Sequence, residues 1–299
     1  DPLWSRGLGD VYKRQVEDLL HAPQLTEHDL QSQQHRVKEL QAKLADMEQT
    51  PAVRDLMSVA DHLLRRSVWI IGGDGWAYDI GSGGVDHVLA SGRDVNVLVL
   101  DTEVYSNTGG QASKSTPLGA VAKFASAGKP TAKKDMALQA IAYGSVYVAR
   151  VALGADPQQT LRAFREAEAY PGPSLIIAYS HCIAHGYDLR NGLDQQYKAV
   201  HCGHWPLMRY NPVLADEGRN PFLLDSPKPD ETWREYTKLE LRYRMLQKAH
   251  PEEAERMLDL GQRQVERRYA EYAEMASRTA EDFAVDARMS EFAASSNRA

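Results

Sequence analysis

This chain has few cysteines, no excess of basic residues and no long apolar run, and each of these features excludes a class of protein. Two cysteines among 299 residues cannot build a disulfide framework, so a reducing cytoplasm is the expected compartment. No apolar run reaches the length that spans a bilayer. The net charge of −6, with Lys and Arg scattered along the chain, argues against a nucleic-acid groove, which needs a basic face. A Rossmann dinucleotide site is also excluded, because no G-x-G-x-x-G joins a strand to a helix near Ser67.

The middle of the chain has the pattern of an α/β fold, and the length is enough for one sizeable core plus helical appendages. Four short runs rich in Val, Ile and Leu predict strands buried on both faces: Ser67–Ile71, Val95–Leu100, Val146–Leu153 and Ser174–Tyr179. Four other segments are predicted helices: Val85–Ser91, Leu118–Ser126, Asp135–Tyr143 and Pro157–Ala169. This alternation predicts a parallel sheet with right-handed crossovers, whose ligand site lies outside the carboxyl ends of the strands.

Helical segments flank this α/β region, which spans 67–204. Apolar residues at helical spacing within 26–49, and again after Pro51, predict a helical connector over 16–66 that leads from an upstream domain. Repeated prolines between 205 and 229 predict an irregular wrapping segment. Residues 230–278 are predicted C-terminal helices, in two runs that meet near Pro251.

Both ends of the chain lack a signal for folded structure. Residues 1–15 have no signal-peptide apolar segment and no clear periodicity, and we interpret them as a remnant of sequence assembly or cloning. A disordered linker cut from a longer chain is the alternative. The stretch 279–299 is predicted to be disordered.

Oxygen ligands follow two neighbouring predicted strands. Asp74 stands between glycines after the first strand, and Thr102 comes directly after the second. A carboxylate together with hydroxyl, carbonyl and amide oxygens suits Mg2+, which takes oxygen ligands and usually keeps positions for a bound phosphate. The glycines beside Asp74 let the backbone come close to that phosphate. A turn or helix N-cap aspartate is the alternative interpretation of Asp74.

Three longer blocks carry a resemblance to a known enzyme family: Gly73–Gly81, Asp101–Gln111 and Tyr179–Gly186. In this order they resemble pyruvate:ferredoxin (flavodoxin) oxidoreductase, with a match that extends from about Val16 to the helices near Met275. The match would cover the C-terminal, thiamine-diphosphate-binding part of an enzyme several times longer. The resemblance implies a parallel-sheet thiamine-diphosphate-binding fold of the α/β class, with flanking N- and C-terminal helices.

The resemblance also implies which residues hold the cofactor. The Asp74 carboxylate, the Thr102 hydroxyl and the Val104 carbonyl would bind Mg2+. Two turns would bind the diphosphate through nests of backbone N–H groups: Gly73, Asp74, Gly75 and Trp76 in the first, and Thr102, Glu103, Val104, Tyr105, Ser106 and Asn107 in the second. Asn107 is the implied catalytic residue, because its amide would reach the thiazolium end of the cofactor and the substrate. A loop Asn that only bonds the backbone is the alternative.

Cys182 is implied to be the last of four thiolate ligands of the [4Fe–4S] cluster nearest the thiamine, with the other three upstream of this chain. Without the resemblance, a Cys at a strand end is usually a small buried hydrophobe. We expect His181 and His185 to pack or form hydrogen bonds, and Cys202 to be structural. The loop Thr108–Pro117 either shapes the approach of substrate or coenzyme A or simply forms turns.

The implied function is the oxidative decarboxylation of pyruvate to acetyl-CoA and CO2, with electrons passing through Fe–S clusters to ferredoxin or flavodoxin. The implied partners are pyruvate, coenzyme A, the electron acceptor and missing N-terminal domains, and a homodimer is the expected assembly. The isolated fragment is expected to be inactive. One alternative is a non-redox thiamine-diphosphate 2-oxo acid decarboxylase or synthase domain, which needs no cluster ligand at Cys182. Another is a non-catalytic packing fragment, which needs no set of Asp74, Thr102 and Asn107.

Overall fold

The computed structural model describes residues 13–24 and 26–283, in two compact units that divide between residues 67 and 68. The expectations for residues 1–12 and 284–299 therefore lie outside the described part of the chain. Residues 13–15 already belong to a helix that runs to residue 21. At the other end, a 3-10 turn over Glu281–Phe283 begins where Thr279 bonds the Asp282 carboxylate, so residues 279–283 are not the disordered segment that the sequence predicts.

The first unit is helical. Its further elements are α1 (Glu27–Asp46), α2 (Pro51–Val59) and a 3-10 turn (Ala60–Leu63). Thr26 and Asp29 start α1 with a capping box, in which each side chain accepts the backbone N–H of the other residue. The buried Gln33 amide donates to the Leu19 and Leu63 carbonyls, which joins three segments of this unit.

The second unit is built on a six-stranded sheet with the order β1-β2-β4-β3-β5-β6. Its strands are β1 (Trp69–Gly73), β2 (Asn96–Asp101), β3 (Tyr147–Val151), β4 (Ser174–Tyr179), β5 (Met208–Tyr210) and β6 (Phe222–Leu224). The first four in spatial order are parallel, whereas β5 runs antiparallel to β3 and β6 antiparallel to β5. The predicted α/β class with a parallel sheet is confirmed.

Helices follow the strands and surround the sheet. They are α3 (Ser82–Ala90), α4 (Met136–Ile141), α5 (Pro157–Ala169), α6 (Gly192–His201), α7 (Pro212–Asp216), α8 (Trp233–Thr237), α9 (Leu241–Ala249) and α10 (Pro251–Ser277). Every residue of β3 is buried, as expected for a strand covered on both faces. The long α10 packs closely on this unit, since a Cβ at Gly261 would lie 2.1 Å from the Trp233 ring.

The prediction of a helix at Leu118–Ser126 is wrong. Pro117 precedes the segment, and both Gly119 and Phe124 have left-handed backbone, with φ of 76° and 67°. The Gly119 N–H donates to the Lys129 carbonyl instead of bonding along a helix. An apolar, alanine-rich composition imitates a helix here, but Gly119 favours the loop conformation that the chain adopts.

Two further predictions of local structure need correction. The segment 205–229 is not irregular throughout, because β5 and β6 lie between its prolines and extend the sheet. The run 230–250 is not one helix, since α8 ends at Thr237 and α9 begins at Leu241. Glu240 lies between these helices, fully buried and paired with Arg242, so the break in this charge-rich run contains a buried ion pair that a regular exposed helix would not have.

Candidate functional site

The carboxyl ends of β1 and β2 lie side by side and bring the predicted metal ligands together. Gly73 is in register with Leu100, so Asp74 and Thr102 emerge at adjacent positions. The Thr102 hydroxyl oxygen lies 2.9 Å from Asp74 Oδ1 and 2.9 Å from the Val104 carbonyl oxygen. A carboxylate, a hydroxyl and a main-chain carbonyl therefore converge, and this set of hard oxygen donors fits Mg2+.

Asp74 is almost fully buried, and its second carboxylate oxygen is also bound. The Ser113 hydroxyl donates to Asp74 Oδ2 at 2.6 Å. Burial raises the pKa of Asp74 to about 6, and the negative charge of Asp101 adds to the rise. A divalent cation at these oxygens would favour the ionised carboxylate, because an opposite charge within a few ångströms stabilises the charged form.

Glycines beside Asp74 make room for two aromatic rings. A Cβ at Gly75 would lie 2.5 Å from the Tyr105 ring, and a Cβ at Gly72 would lie 2.4 Å from the Trp76 ring. In contrast, a Cβ at Gly73 would meet only the Leu100 carbonyl, at 4.0 Å. The space beside Gly73 is therefore open, which is compatible with the predicted approach of a phosphate to the backbone.

Glu103 turns into the protein interior. Its backbone has φ of 58°, its N–H donates to the Asp101 carboxylate at 3.0 Å, and its carbonyl accepts from Thr116 at 2.6 Å. Its carboxylate is fully buried. Since all of these polar groups are used within the protein, the geometry favours a loop-shaping role for Glu103 over the predicted direct contact with the cofactor.

Three basic side chains surround the Glu103 carboxylate: Arg242 at 2.7 Å, His204 at 3.0 Å and Lys133 at 3.3 Å. Burial by itself would raise the pKa of Glu103, but Lys133, His204 and Arg242 together hold it well below its usual range. Arg242 lies in α9, so this ionic cluster connects the loop that carries Thr102 and Val104 to a C-terminal helix.

Lys133 also binds the carboxylate that ends β2. It lies 2.8 Å from Asp101 Oδ2, and Tyr78 donates to the same oxygen at 2.8 Å. Sequence reasoning missed Lys133, His204, Arg242 and Asp101 as contributors to the site. The only sequence signal for Asp101 was its place inside the second matching block, and the other three had none.

The outer part of the same loop is exposed and lies next to Cys182. Ser106 and Asn107 are exposed, and the Ser106 hydroxyl lies 3.1 Å from the buried Cys182 sulfur. The Ala184 N–H points at that sulfur from 3.4 Å. The predicted cluster ligand and the predicted cofactor loop are thus in direct contact.

His185 forms a hydrogen bond, as predicted from sequence, and Cys202 is buried. His185 is buried and its Nε2 lies 2.7 Å from the Thr102 carbonyl. Burial, with the nearby Arg242 charge, lowers the pKa of His185 to about 4, so the neutral ring donates this hydrogen bond at pH 7. Cys202 is buried at the position that follows α6, away from these loops in sequence, and burial raises the pKa of its thiol.

Within residues 13–24 and 26–283, no three His, Cys, Asp or Glu side chains gather as a metal site. Cys182 therefore belongs to no group of three such side chains in the described part of the chain. The helices of that part include none that is long and apolar enough to cross a membrane.

The sequence of this chain is similar to those of known proteins. Residues 56–178 match the family model described as "Thiamine pyrophosphate enzyme, C-terminal TPP binding domain". The pyruvate-flavodoxin oxidoreductase of Trichormus variabilis is 55% identical over 271 residues, which cover 90% of this chain and 23% of the relative. The pyruvate:ferredoxin oxidoreductase of Moorella thermoacetica is 55% identical over 222 residues, which cover 74% of this chain and 19% of the relative. These matches confirm the resemblance that the three sequence blocks indicate.

The chain spans about a fifth of the length of these curated relatives. Among solved structures, a 2-oxoglutarate:ferredoxin oxidoreductase from Magnetococcus marinus is 25% identical, with a TM-score of 0.36. That similarity covers 38% of this chain and 40% of the other.

Proposed function

We propose that this chain is the thiamine-diphosphate-binding part of a longer enzyme that oxidatively decarboxylates pyruvate to acetyl-CoA and CO2. The observation that supports this proposal is the convergence of Asp74, Thr102 and Val104 at the adjacent ends of β1 and β2. These ligands lie inside the region that matches the thiamine pyrophosphate-binding family, and the relatives named above are pyruvate oxidoreductases.

The proposed role of the chain is to hold the metal and the diphosphate. Asp74, Thr102 and the Val104 carbonyl bind Mg2+, and the backbone around Gly73 faces the diphosphate. Thiamine diphosphate, when bound, supplies the electron sink for decarboxylation. Asn107 is exposed at the outer end of the loop, where its amide is free to meet a substrate carboxylate.

Cys182 is proposed as one of four thiolate ligands of a [4Fe–4S] cluster. An Fe–S cluster of this type needs four Cys, whereas the described residues hold two, Cys182 and Cys202. Its 3.1 Å contact with Ser106, next to Asn107, supports a ligand position close to the cofactor loop. This position favours the redox enzyme over a non-redox thiamine decarboxylase or synthase, which needs no such thiol.

The remaining parts of the proposal come from the resemblance. They are coenzyme A as acetyl acceptor, ferredoxin or flavodoxin as electron acceptor, N-terminal domains of the same enzyme, a homodimeric assembly and a cytoplasmic location. A non-catalytic packing fragment is disfavoured by the assembled oxygen site, because packing alone does not require Asp74 and Thr102 to meet.

The test uses the full-length protein that contains this sequence. Wild-type protein should reduce a viologen dye in a pyruvate-dependent reaction, and Asp74→Asn should lose Mg2+-dependent retention of thiamine diphosphate after desalting. Asp86→Asn is the matched control, because Asp86 is also close in sequence but bonds the Tyr143 hydroxyl, outside the proposed ligand set and the segments that support it. Cofactor content that is undiminished in Asp74→Asn would refute the metal assignment.

A further inference from the structure

A short buried segment, Ser113–Thr116, lies against the metal-binding residues. Sequence reasoning offers only an approach path or turns for this loop, yet Ser113, Ser115 and Thr116 are buried. Each of the four residues donates a hydrogen bond to a different residue. The Ser113 and Ser115 hydroxyls donate to the carboxylates of Asp74 and Asp101. The Lys114 N–H donates to the Asp79 carboxylate, and the Thr116 hydroxyl donates to the Glu103 carbonyl. The segment therefore connects the elements that follow β1 and β2.

The hydrogen-bond direction at Ser113 is determined by its neighbours. The Ser115 N–H donates to the Ser113 oxygen at 3.0 Å, so that oxygen acts as an acceptor on one side. Its own proton is then available for Asp74 Oδ2, 2.6 Å away. With Oδ2 bound in this way, Oδ1 is the oxygen that faces the Thr102 hydroxyl.

Thr116 and Lys129 hold this segment in place. The Thr116 hydroxyl accepts the Ser113 N–H at 2.9 Å and lies 2.6 Å from the Glu103 carbonyl. The Lys129 ammonium donates to the Thr116 carbonyl at 2.6 Å. One hydroxyl thus connects the partner of Asp74 to the loop that carries Thr102 and Val104.

We propose that Ser113 is a positioning residue for the divalent cation, because its hydroxyl fixes the rotation of the Asp74 carboxylate so that Oδ1 faces the metal. This inference rests on the proposed function. Ser115 serves as a contrast within the segment, since its hydroxyl bonds Asp101, which is outside the proposed ligand set. Mg2+ demands near-ideal octahedral geometry, whereas Ca2+ accepts flexible coordination, so loss of the orienting bond affects Mg2+ more.

The experiment compares wild-type full-length protein with Ser113→Ala, by calorimetric titration of Mg2+ and Ca2+ at saturating thiamine diphosphate. We expect Ser113→Ala to lower Mg2+ affinity by about tenfold, the effect of losing one hydrogen bond to a charged group. Ca2+ affinity should change less, so the Mg2+ to Ca2+ affinity ratio falls. Ser113→Thr, which keeps the hydroxyl, should restore the ratio.

Ser174→Ala is the matched control, because Ser174 is also a buried serine but lies at the opposite end of β4 from the site. Equal Mg2+ affinity and an unchanged ratio in Ser113→Ala would overturn this inference alone. No uptake of Mg2+ and thiamine diphosphate by wild-type protein would overturn the proposed function together with it. If Ser113→Ala does not fold, Ser113→Cys, a near-isosteric variant with a weaker donor, decides by the same ratio.

Discussion

Two parts of the site lie at the same edge of the sheet: the Asp74 side, formed by Asp74, Thr102 and Val104, and the Cys182 side, formed by Cys182 and its contacts. The described chain supplies different numbers of possible ligands to the two sides. On the Asp74 side, the Thr102 hydroxyl oxygen lies 2.9 Å from Asp74 Oδ1 and 2.9 Å from the Val104 carbonyl oxygen, and the Ser113 hydroxyl donates to the Asp74 carboxylate. On the Cys182 side, one buried thiol contacts Ser106, and within the described residues it belongs to no group of three His, Cys, Asp or Glu side chains that could hold a metal.

The difference follows from the ligand chemistry. A hard cation accepts hydroxyl and main-chain carbonyl oxygens, and two adjacent strand ends supply these locally. A [4Fe–4S] cluster of the kind proposed here accepts four thiolates, and the described residues hold only two cysteines. The oxygen side can therefore form within one α/β unit, whereas the thiol side depends on other segments.

The largest expected effect comes from testing the 299-residue chain alone. It should fold, bind Mg2+ and thiamine diphosphate weakly at best, and show no pyruvate-dependent reduction of a viologen dye after anaerobic reconstitution with iron and sulfide. The reason is that it supplies the diphosphate side of the cofactor site and one of four thiolates. Each 1.4 kcal/mol of lost contact weakens binding about tenfold. Clear turnover by the isolated chain would show that both sides of the site are complete within it.

Some features of the site could be predicted from the sequence, and others could not. The strands and the meeting of Asp74 with Thr102 were predictable, because apolar runs mark buried strands and parallel strands present ligands at their carboxyl ends. Ser113 was not, since a serine in a glycine- and serine-rich loop has the composition of a surface turn. The contact between Arg242 and Glu103 joins residues 139 positions apart, and no local pattern encodes it.

A second test removes the thiol of Cys182 and leaves the residues of the Asp74 side unchanged. In the full-length protein, Cys182→Ala should lower iron content and impair reduction of the acceptor, because the cluster loses one thiolate, while bound thiamine diphosphate is retained. Cys202→Ala is the matched control, since its thiol is also buried but is placed outside the proposed ligand set, just after α6, where it donates to the Ala199 carbonyl. Iron analysis and the spectrum of the reduced cluster measure the effect. The same iron content in Cys182→Ala and Cys202→Ala would remove Cys182 from the ligand set.

The smallest expected effect on enzymatic function comes from changing Arg242, which contacts the loop on the Asp74 side. Arg242 lies 2.7 Å from the Glu103 carboxylate and also pairs with Glu240, and all three side chains are buried. Arg242→Met would leave two carboxylates without this partner in a region of low polarity. Removing one member of a buried ion pair costs about 3–5 kcal/mol. We expect a lower free energy of unfolding, measured by urea denaturation, and a moderate loss of thiamine diphosphate affinity, because the loop carrying Thr102 and Val104 loses its support.

The control for this variant is Arg234→Met. Arg234 pairs with Glu255 and Asp259, but these partners are exposed, and exposed ion pairs are screened by water and salt. Its replacement should change stability little and leave cofactor affinity unaltered. Iron content in full-length Arg242→Met should fall less than in Cys182→Ala, because the thiol side keeps its ligand. An Arg242→Met protein as stable as Arg234→Met, with wild-type cofactor affinity, would show that the Asp74 side needs no support from α9.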